Sequence, residues 1–425
     1  MAERSGRWLI AIMGAVLMLC LGTVYAWSFF QDLLVRQYHD LYGWSNSQVA
    51  LVFSLAIFFL GVTAAWGGTQ LPKIGPRRMA MLGGLLFAAG YLIAGLALQI
   101  RSLPLLYIGY GALGGIGLGL GYVTPVATVS KWFPDRKGLA TGMVIMGFGL
   151  GALLMSKVLA PKFLEWTGSL VSTFLLLGAV FFVFTVGPAA FMRNPEKGWL
   201  PAGFSPAAAA SKGPTAPSLT PRGAVFSGRF ALLWLVFFCN ITAGIAIIGF
   251  QSPLLQSLWK KADPSLAAPL IAGFGATLIA VSSLFNGAGR FFWGAVSDRI
   301  GRVRTFRIML GSEIVVFMAL VLTGSPWLFG ILVCWVLLCY GGGFGTMPAF
   351  VSDTFGPHIM APVYGVVLTA WSAAGIVGPQ IVAVLKDRVP EKASLLSFII
   401  GACFLVVGFV LSLFLSGKPF ERKPA

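Results

Sequence analysis

The chain has 425 residues, 57% hydrophobic and only 10% charged, with a formal net charge of +17. A soluble domain carries about 25% charged residues, so a chain this apolar cannot cover its own surface, and the composition excludes a water-soluble enzyme, a coiled coil, collagen and disorder. Mean hydropathy of +0.87 and 54 glycines describe instead a polytopic membrane protein, where Gly is frequent in helices.

A helix needs about 20 apolar residues to cross a bilayer. Taken in chain order, such runs centre on 8–32, 46–69, 78–99, 103–130, 138–160, 169–192, 229–257, 268–297, 305–324, 326–352, 361–385 and 393–416. The first follows Arg4 and Arg7 as in a signal peptide. It exceeds the roughly 7–15 apolar residues of a cleaved signal and reads as a membrane helix. The expected fold is therefore all-α, with twelve spans. The longest break, 193–228, holds the Pro/Ala/Ser-rich stretch GFSPAAAASKGPTAPSLTPRG, a linker composition. It divides the chain into a six-helix unit at 1–192 and another at 229–425.

Twelve spans put both termini and the linker on one side. Lys and Arg are concentrated there: Lys73, Arg77, Arg78, Lys131, Arg136, Lys137, Arg299, Arg302, Arg304 and Arg307 flank the spans, and the linker and termini add more. The opposite side has few, among them Arg36, Arg101, Lys260 and Lys261. The cation-rich side is cytoplasmic by the positive-inside rule. The same distribution argues against nucleic acid as a partner, because the cations lie in short loops and form no basic stripe. All five cysteines (Cys20, Cys239, Cys334, Cys339, Cys403) lie in apolar runs with no CxxC pair, and His39 and His358 fall between spans, away from them. That pattern offers neither a metal site nor a disulfide framework. The glycines of spans 4 and 5 precede nothing like GK[ST], so no nucleotide cofactor is expected and a gradient must supply the energy.

The two sets of six spans echo each other. Gly68-Thr-Gln-Leu-Pro-Lys73-Ile-Gly75 follows span 2, and Gly294-Ala-Val-Ser-Asp298-Arg299-Ile-Gly301 follows span 8. Val129-Ser-Lys-Trp-Phe133 ends span 4, and Val351-Ser-Asp-Thr-Phe355 ends span 10. Repeated six-helix units of like orientation are an architecture of secondary transporters. The stretch Gly294-x-x-x-Asp298-Arg299-x-Gly301-Arg302-x-Arg304 resembles the loop signature of the major facilitator superfamily. The resemblance implies a tight cationic cytoplasmic turn, with Asp298, Arg299, Gly301 and Arg302 locking and releasing a neighbouring helix end. The first copy departs from it, with Pro72 where the Asp would stand. Gly22-x-x-Tyr25-Ala-Trp27-Ser28, Trp132-Phe-Pro-Asp135-Arg136-x-Gly138-Leu-Ala-Thr-Gly142 and Asn286-x-x-Gly289-Arg290 are similar to the monocarboxylate transporter and oxalate/formate antiporter branch.

Arg290 lies eight residues before Asp298. At about 1.5 Å per residue it is about 12 Å inside the membrane. A guanidinium there stays charged and needs an anion or a water-filled cavity. One reading is a carboxylate-binding site, since the planar fork matches a carboxylate with two parallel N–H donors. The other is a salt bridge, for which Glu313 of span 9 is the other deeply placed charge. One intramembrane cation suits a monoanion. The resemblance sharpens this: oxalate antiporters use a Lys on span 11, and here 361–385 holds neither Lys nor Arg. In proton-coupled relatives an Asp stands where this chain has Asn286, which cannot titrate. Glu313 and Asp32 are then the proton-coupling candidates, with Asp298, Asp353 and the substrate's own carboxylate as further possibilities.

The family's path is lined by spans 1, 4, 7 and 10. That puts Tyr122, Tyr340, Phe344 and Tyr25 forward as substrate-binding residues beside Arg290 and Asn286, with Asn240 and Gln251 behind them. Each aromatic could equally be a packing or interface residue. A membrane enzyme would need catalytic groups meeting at one depth; no His lies in a span and no two acids share a depth on these helices. A channel would not need two repeated units around one charge. The expected function is proton symport of a lactate- or pyruvate-like monocarboxylate across the cell membrane by a monomer, with an oxalate/formate-type anion exchanger as the alternative. The topology has a direct check: a cysteine placed in the linker reacts with an impermeant maleimide only after cells are permeabilised, and labelling of intact cells would invert the orientation.

Overall fold

A computed structural model describes residues 2–134, 137–196, 199–201, 219–356 and 359–420. Twelve of its helices are long and apolar enough to cross a membrane: α1 (Gly6–Tyr42), α2 (Asn46–Ile74), α3 (Pro76–Gln99), α4 (Leu103–Trp132), α5 (Ala140–Thr167), α6 (Leu170–Ala189), α7 (Gly228–Ala262), α8 (Ala268–Ile300), α9 (Arg302–Leu322), α10 (Pro326–Phe355), α11 (Pro362–Arg388) and α12 (Pro390–Leu413). This all-α, twelve-span architecture agrees with the sequence expectation. Residues 202–218 of the expected linker lie outside the described residues, as do Arg136 and His358; Pro221–Val225 forms a short helix.

Several helices run past their apolar cores. α1 reaches Tyr42 and α7 reaches Ala262, whereas hydropathy ends the first at 32 and the seventh at 257. The added turns carry Arg36, Lys260 and Lys261, good helix formers that no transfer scale marks as membrane. His39, expected between spans, therefore sits in the last turn of α1. Side chains such as Val315, Ile331 and Trp327 stay exposed on the outside of the bundle, the surface that lipid covers.

The sequence repeat reappears as geometry. α2 ends at Gly75 with φ +84° and ψ +153°, and α8 ends at Gly301 with φ +89° and ψ +149°. Each glycine also starts the next helix. A side chain at positive φ would clash with its own backbone, so Gly permits this reversal without a connecting loop.

α2 packs on α11 and α5 on α8, joining the first six spans to the last six. Hydrogen bonds close these seams from the middle of the bundle to the end away from the linker. Ser372 Oγ donates to the Phe58 carbonyl at 2.8 Å and Gln380 Nε2 to the Ser47 carbonyl at 3.2 Å. The Asp387 carboxylate accepts from the Asn46 and Ser47 backbone N–H groups at 3.0 and 2.8 Å, so a side chain of α11 caps α2. On the other flank Ser283 Oγ donates to the Gly149 carbonyl at 2.6 Å, and Lys157 Nζ to Thr277 Oγ1 at 2.6 Å.

α8 lies flush against α10. A Cβ on Gly289 would stand 2.0 Å from the Leu338 carbonyl oxygen, and one on Gly345 would stand 2.3 Å from that of Arg290. Neither gap admits a methyl group, so the backbone bearing Arg290 is fixed by contact. Gly289→Val should cost about 1–3 kcal/mol by overpacking, read as a lowered melting midpoint in detergent. A wild-type midpoint would show that the two helices part freely.

Candidate substrate site

The geometry around Arg290 starts from that α8–α10 contact. The side chain is 2% exposed, and Nε and both terminal nitrogens are buried without a hydrogen-bond partner. Its guanidinium carbon sits 5.1 Å from the Phe344 ring centre and 6.0 Å from that of Phe148. Cation–π attraction of this kind contributes roughly 0.5–2 kcal/mol, far less than hydrogen bonds to five N–H groups would supply. The salt-bridge reading fails in this structure: the Glu313 carboxylate instead accepts from Asn240 Nδ2 at 2.9 Å.

An aromatic box closes around the cation. Trp371 of α11 lies at its centre, with ring centres 4.6 Å from Phe344, 5.4 Å from Tyr122, 5.7 Å from Phe148 and 6.2 Å from Tyr25. Tyr25 and Tyr340 share a hydrogen bond at 2.7 Å between their hydroxyls, linking α1 to α10 across the molecule. Besides Arg290, Asn286 Oδ1 is buried and unpartnered, while the Tyr122 and Tyr364 hydroxyls lie toward each other and Trp371 Nε1 toward Tyr340 without a hydrogen bond of full geometry. Buried polar groups are normally paired. A cluster of unpaired donors and acceptors around one cation, walled by rings, is what a small polar anion would complete.

A cleft of about 330 Å³ between α5, α8 and α10 runs along α8 from Arg290 to Asp298 and Arg302, bordered by Thr141, Gly142 and Pro348. It extends toward the linker end, opposite to the closed end. At its mouth Arg302 pairs with Asp298 at 2.6 Å and with Asp353, at the end of α10, at 3.0 Å. Arg302 also donates to Ser297 Oγ. These bonds tie the ends of α8 and α10 to the start of α9. Arg299 is exposed.

The structure thus gathers Arg290, Tyr122, Phe344, Tyr25 and Tyr340 in one box, with the Asn286 side-chain oxygen buried one turn away on α8. It places Asp32 elsewhere, paired with Arg36 at 2.7 Å near the closed end, where Arg36 also donates to Gln256 of α7 at 3.1 Å. Asn240 serves Glu313, and Gln251 accepts from Ser282 Oγ at 2.6 Å, so neither lines the box through its bonded atom. Phe148, Trp371 and Tyr364 were missed by sequence reasoning. They stand on α5 and α11, outside the path helices 1, 4, 7 and 10; on α11 only cations were sought.

A helical membrane protein with one buried cation in an aromatic box between two packed six-helix sets is built as a secondary transporter. The model of the Major Facilitator Superfamily matches residues 7–379, and the chain belongs to that family. It is 28% identical to an oxalate:formate antiporter of Oxalobacter formigenes, over 98% of this chain and 94% of that one. It is 29% identical to monocarboxylate transporter 11 of Mus musculus, over 86% and 79%. Among solved structures, a D-xylose-proton symporter superposes with a TM-score of 0.72 at 14% identity, covering 97% of this chain and 98% of the other; at that identity the likeness concerns the fold alone. The family and fold are those of transporters, not enzymes.

The carboxylates at the cleft mouth are open to water, the Asp298 and Asp353 side chains being 68% and 54% exposed, whereas the Arg302 side chain is 16% exposed. Because both carboxylates rehydrate once freed, Arg302→Ala should cost about 1–3 kcal/mol of stability. Thermal unfolding in detergent checks this, and a larger loss would mean that the triad holds the fold itself.

Proposed function

We propose that this protein moves a small monocarboxylate, lactate- or pyruvate-like, across the cell membrane in symport with one proton, and that Arg290 anchors the carboxylate. The observation that carries the reading is the buried Arg290 guanidinium without a hydrogen-bond partner. A monocarboxylate would give it two charge-assisted bonds and leave no second charge to neutralise. The small hydroxyethyl or acetyl remainder suits aromatic walls with a few polar atoms free to bond it, Tyr122, Asn286 and Trp371 among them.

Transport follows as alternating access between the six-helix units 1–192 and 229–425, with linker 193–228 and both termini cytoplasmic and the protein working as a monomer. The cleft from Arg290 to Arg302 would be the cytoplasmic route, with Asp298, Arg299, Gly301 and Arg302 forming its gate. Asp32 is the carboxyl this reading favours for coupling. It is partly exposed, and its partner Arg36 bridges to Gln256 across the closed end. Protonation of Asp32 would free Arg36 and loosen that closure.

Exchange is the second reading, favoured by the similarity to the oxalate:formate antiporter along nearly the whole chain. Proteoliposomes separate the two. Symport predicts uptake of labelled lactate that collapses with the pH gradient and needs no internal anion; exchange predicts uptake that ignores the pH gradient and requires a counter-anion. Arg290→Ala should abolish binding in a protein that still folds, because it also removes a costly buried charge. Arg290→Lys should bind poorly, since an ammonium offers no parallel pair of donors. Asn286→Ala should lose about 0.5–1.5 kcal/mol, the scale of one neutral hydrogen bond. A monodisperse Arg290→Ala protein that binds lactate with unchanged affinity would overturn the anchor.

A further inference from the structure

Among the described residues Glu313 is the other buried charge-bearing residue. It is 0% exposed, midway along α9. Its Oε2 accepts from Asn240 Nδ2 of α7 at 2.9 Å, while its Oε1 has no partner. Asn240 Oδ1 is also buried without a partner. The two orphan atoms belong to the same hydrogen-bonded pair and both are acceptors as drawn. Two unpaired acceptors in one buried pair are costly. One proton on Oε1 resolves both: Oε1–H donates to Asn240 Oδ1 while Asn240 Nδ2–H donates to Oε2, closing a reciprocal acid–amide ring.

The surroundings favour the neutral acid. From α10 the titratable group facing Glu313 is the Cys339 thiol; on α9 itself the neighbour is Ser312, bonded toward Cys339. From α7 the facing group is the Asn240 amide, and no cation among the described residues is paired with the carboxyl. The pair also stands directly behind the anchor. A Cβ on Gly343 would lie 2.3 Å from Asn240 Oδ1, so the α10 backbone rests on the amide. The next residue is Phe344, beneath the Arg290 guanidinium. Phe237, one turn before Asn240, meets the Phe344 ring edge-on at 5.2 Å.

We infer that Glu313 is a permanently protonated carboxyl, locked to Asn240 in a reciprocal acid–amide pair that positions Phe344 under Arg290, and that the proton it holds is not the one transported. Glu313 is thus a positioning residue rather than a coupling residue. The inference uses the anchor role of Arg290 only for its transport readout.

The test has a spectroscopic arm that needs no substrate. The infrared difference between purified wild type and Glu313→Gln should show a protonated-carboxyl C=O stretch that persists from about pH 5 to about pH 8, well above the ordinary carboxylate range. The stretch should move in Asn240→Leu, which removes the amide partner, and this second variant decides the matter if Glu313→Gln does not fold. A band that is absent, that bleaches across this range or that ignores Asn240→Leu overturns the inference. In proteoliposomes Glu313→Gln can rebuild the ring with its own amide and should keep gradient-driven accumulation within about two-fold, with an unchanged pH profile; Glu313→Leu should raise KM severalfold. Loss of accumulation in folded Glu313→Gln with counterflow intact would make Glu313 the coupling residue and overturn the inference. If wild type carries no lactate at all, the substrate reading falls while the infrared result still stands.

Discussion

A guanidinium held in an aromatic box, its N–H groups without a partner from the protein, is the constraint around which this molecule is arranged. Leaving a charge in low dielectric costs several kcal/mol, and cation–π contact with Phe344 and Phe148 offsets only part of that. The α8 and α10 backbones are pressed together at Gly289 and Gly345, which fixes the backbone that carries Arg290. The box is stable in shape and unsatisfied in chemistry, and that imbalance is what a ligand would relieve.

The same constraint explains the division of labour among neighbouring polar groups. Asn240, Gln251, Ser282 and Ser283 are all buried, and each spends a hydrogen bond on a partner other than Arg290. Tyr25 and Tyr340 satisfy each other. What remains open is Arg290 with Tyr122, Tyr364, Asn286 and Trp371. The site is defined as much by which polar atoms are already committed as by which are free.

The span count was legible because hydropathy is a local property, and Arg290 because a cation inside an apolar run has no inconspicuous explanation. The turns at Gly75 and Gly301 were visible as a repeat before their φ values were known. Helix ends were not legible: Arg36, Lys260 and Lys261 continue their helices into polar surroundings, where transfer scales fall silent. Nor was the Tyr25–Tyr340 bond, which joins residues 315 positions apart, or Trp371, whose neighbours come from α1, α4, α5 and α10. Those depend on how helices rotate about their axes, and an apolar helix with little polar contrast gives the sequence no face to read.

The two ends of the bundle are fastened by different chemistry. From the middle of the bundle toward the end away from the linker, Ser372, Gln380 and Ser283 donate to main-chain carbonyls of the opposite six helices, neutral bonds indifferent to dissolved ions, and charged Asp387 and Lys157 add their own bonds. At the cleft mouth Arg302 is held by half-exposed carboxylates, whose attraction fades within a Debye length of about 8 Å at physiological ionic strength. Electrolyte on the linker side therefore loosens a clasp internal to the last six helices and leaves the bonds between the two sets untouched. How the ends of α8, α9 and α10 sit at the cleft mouth becomes a function of the salt on that side, independent of any substrate gradient.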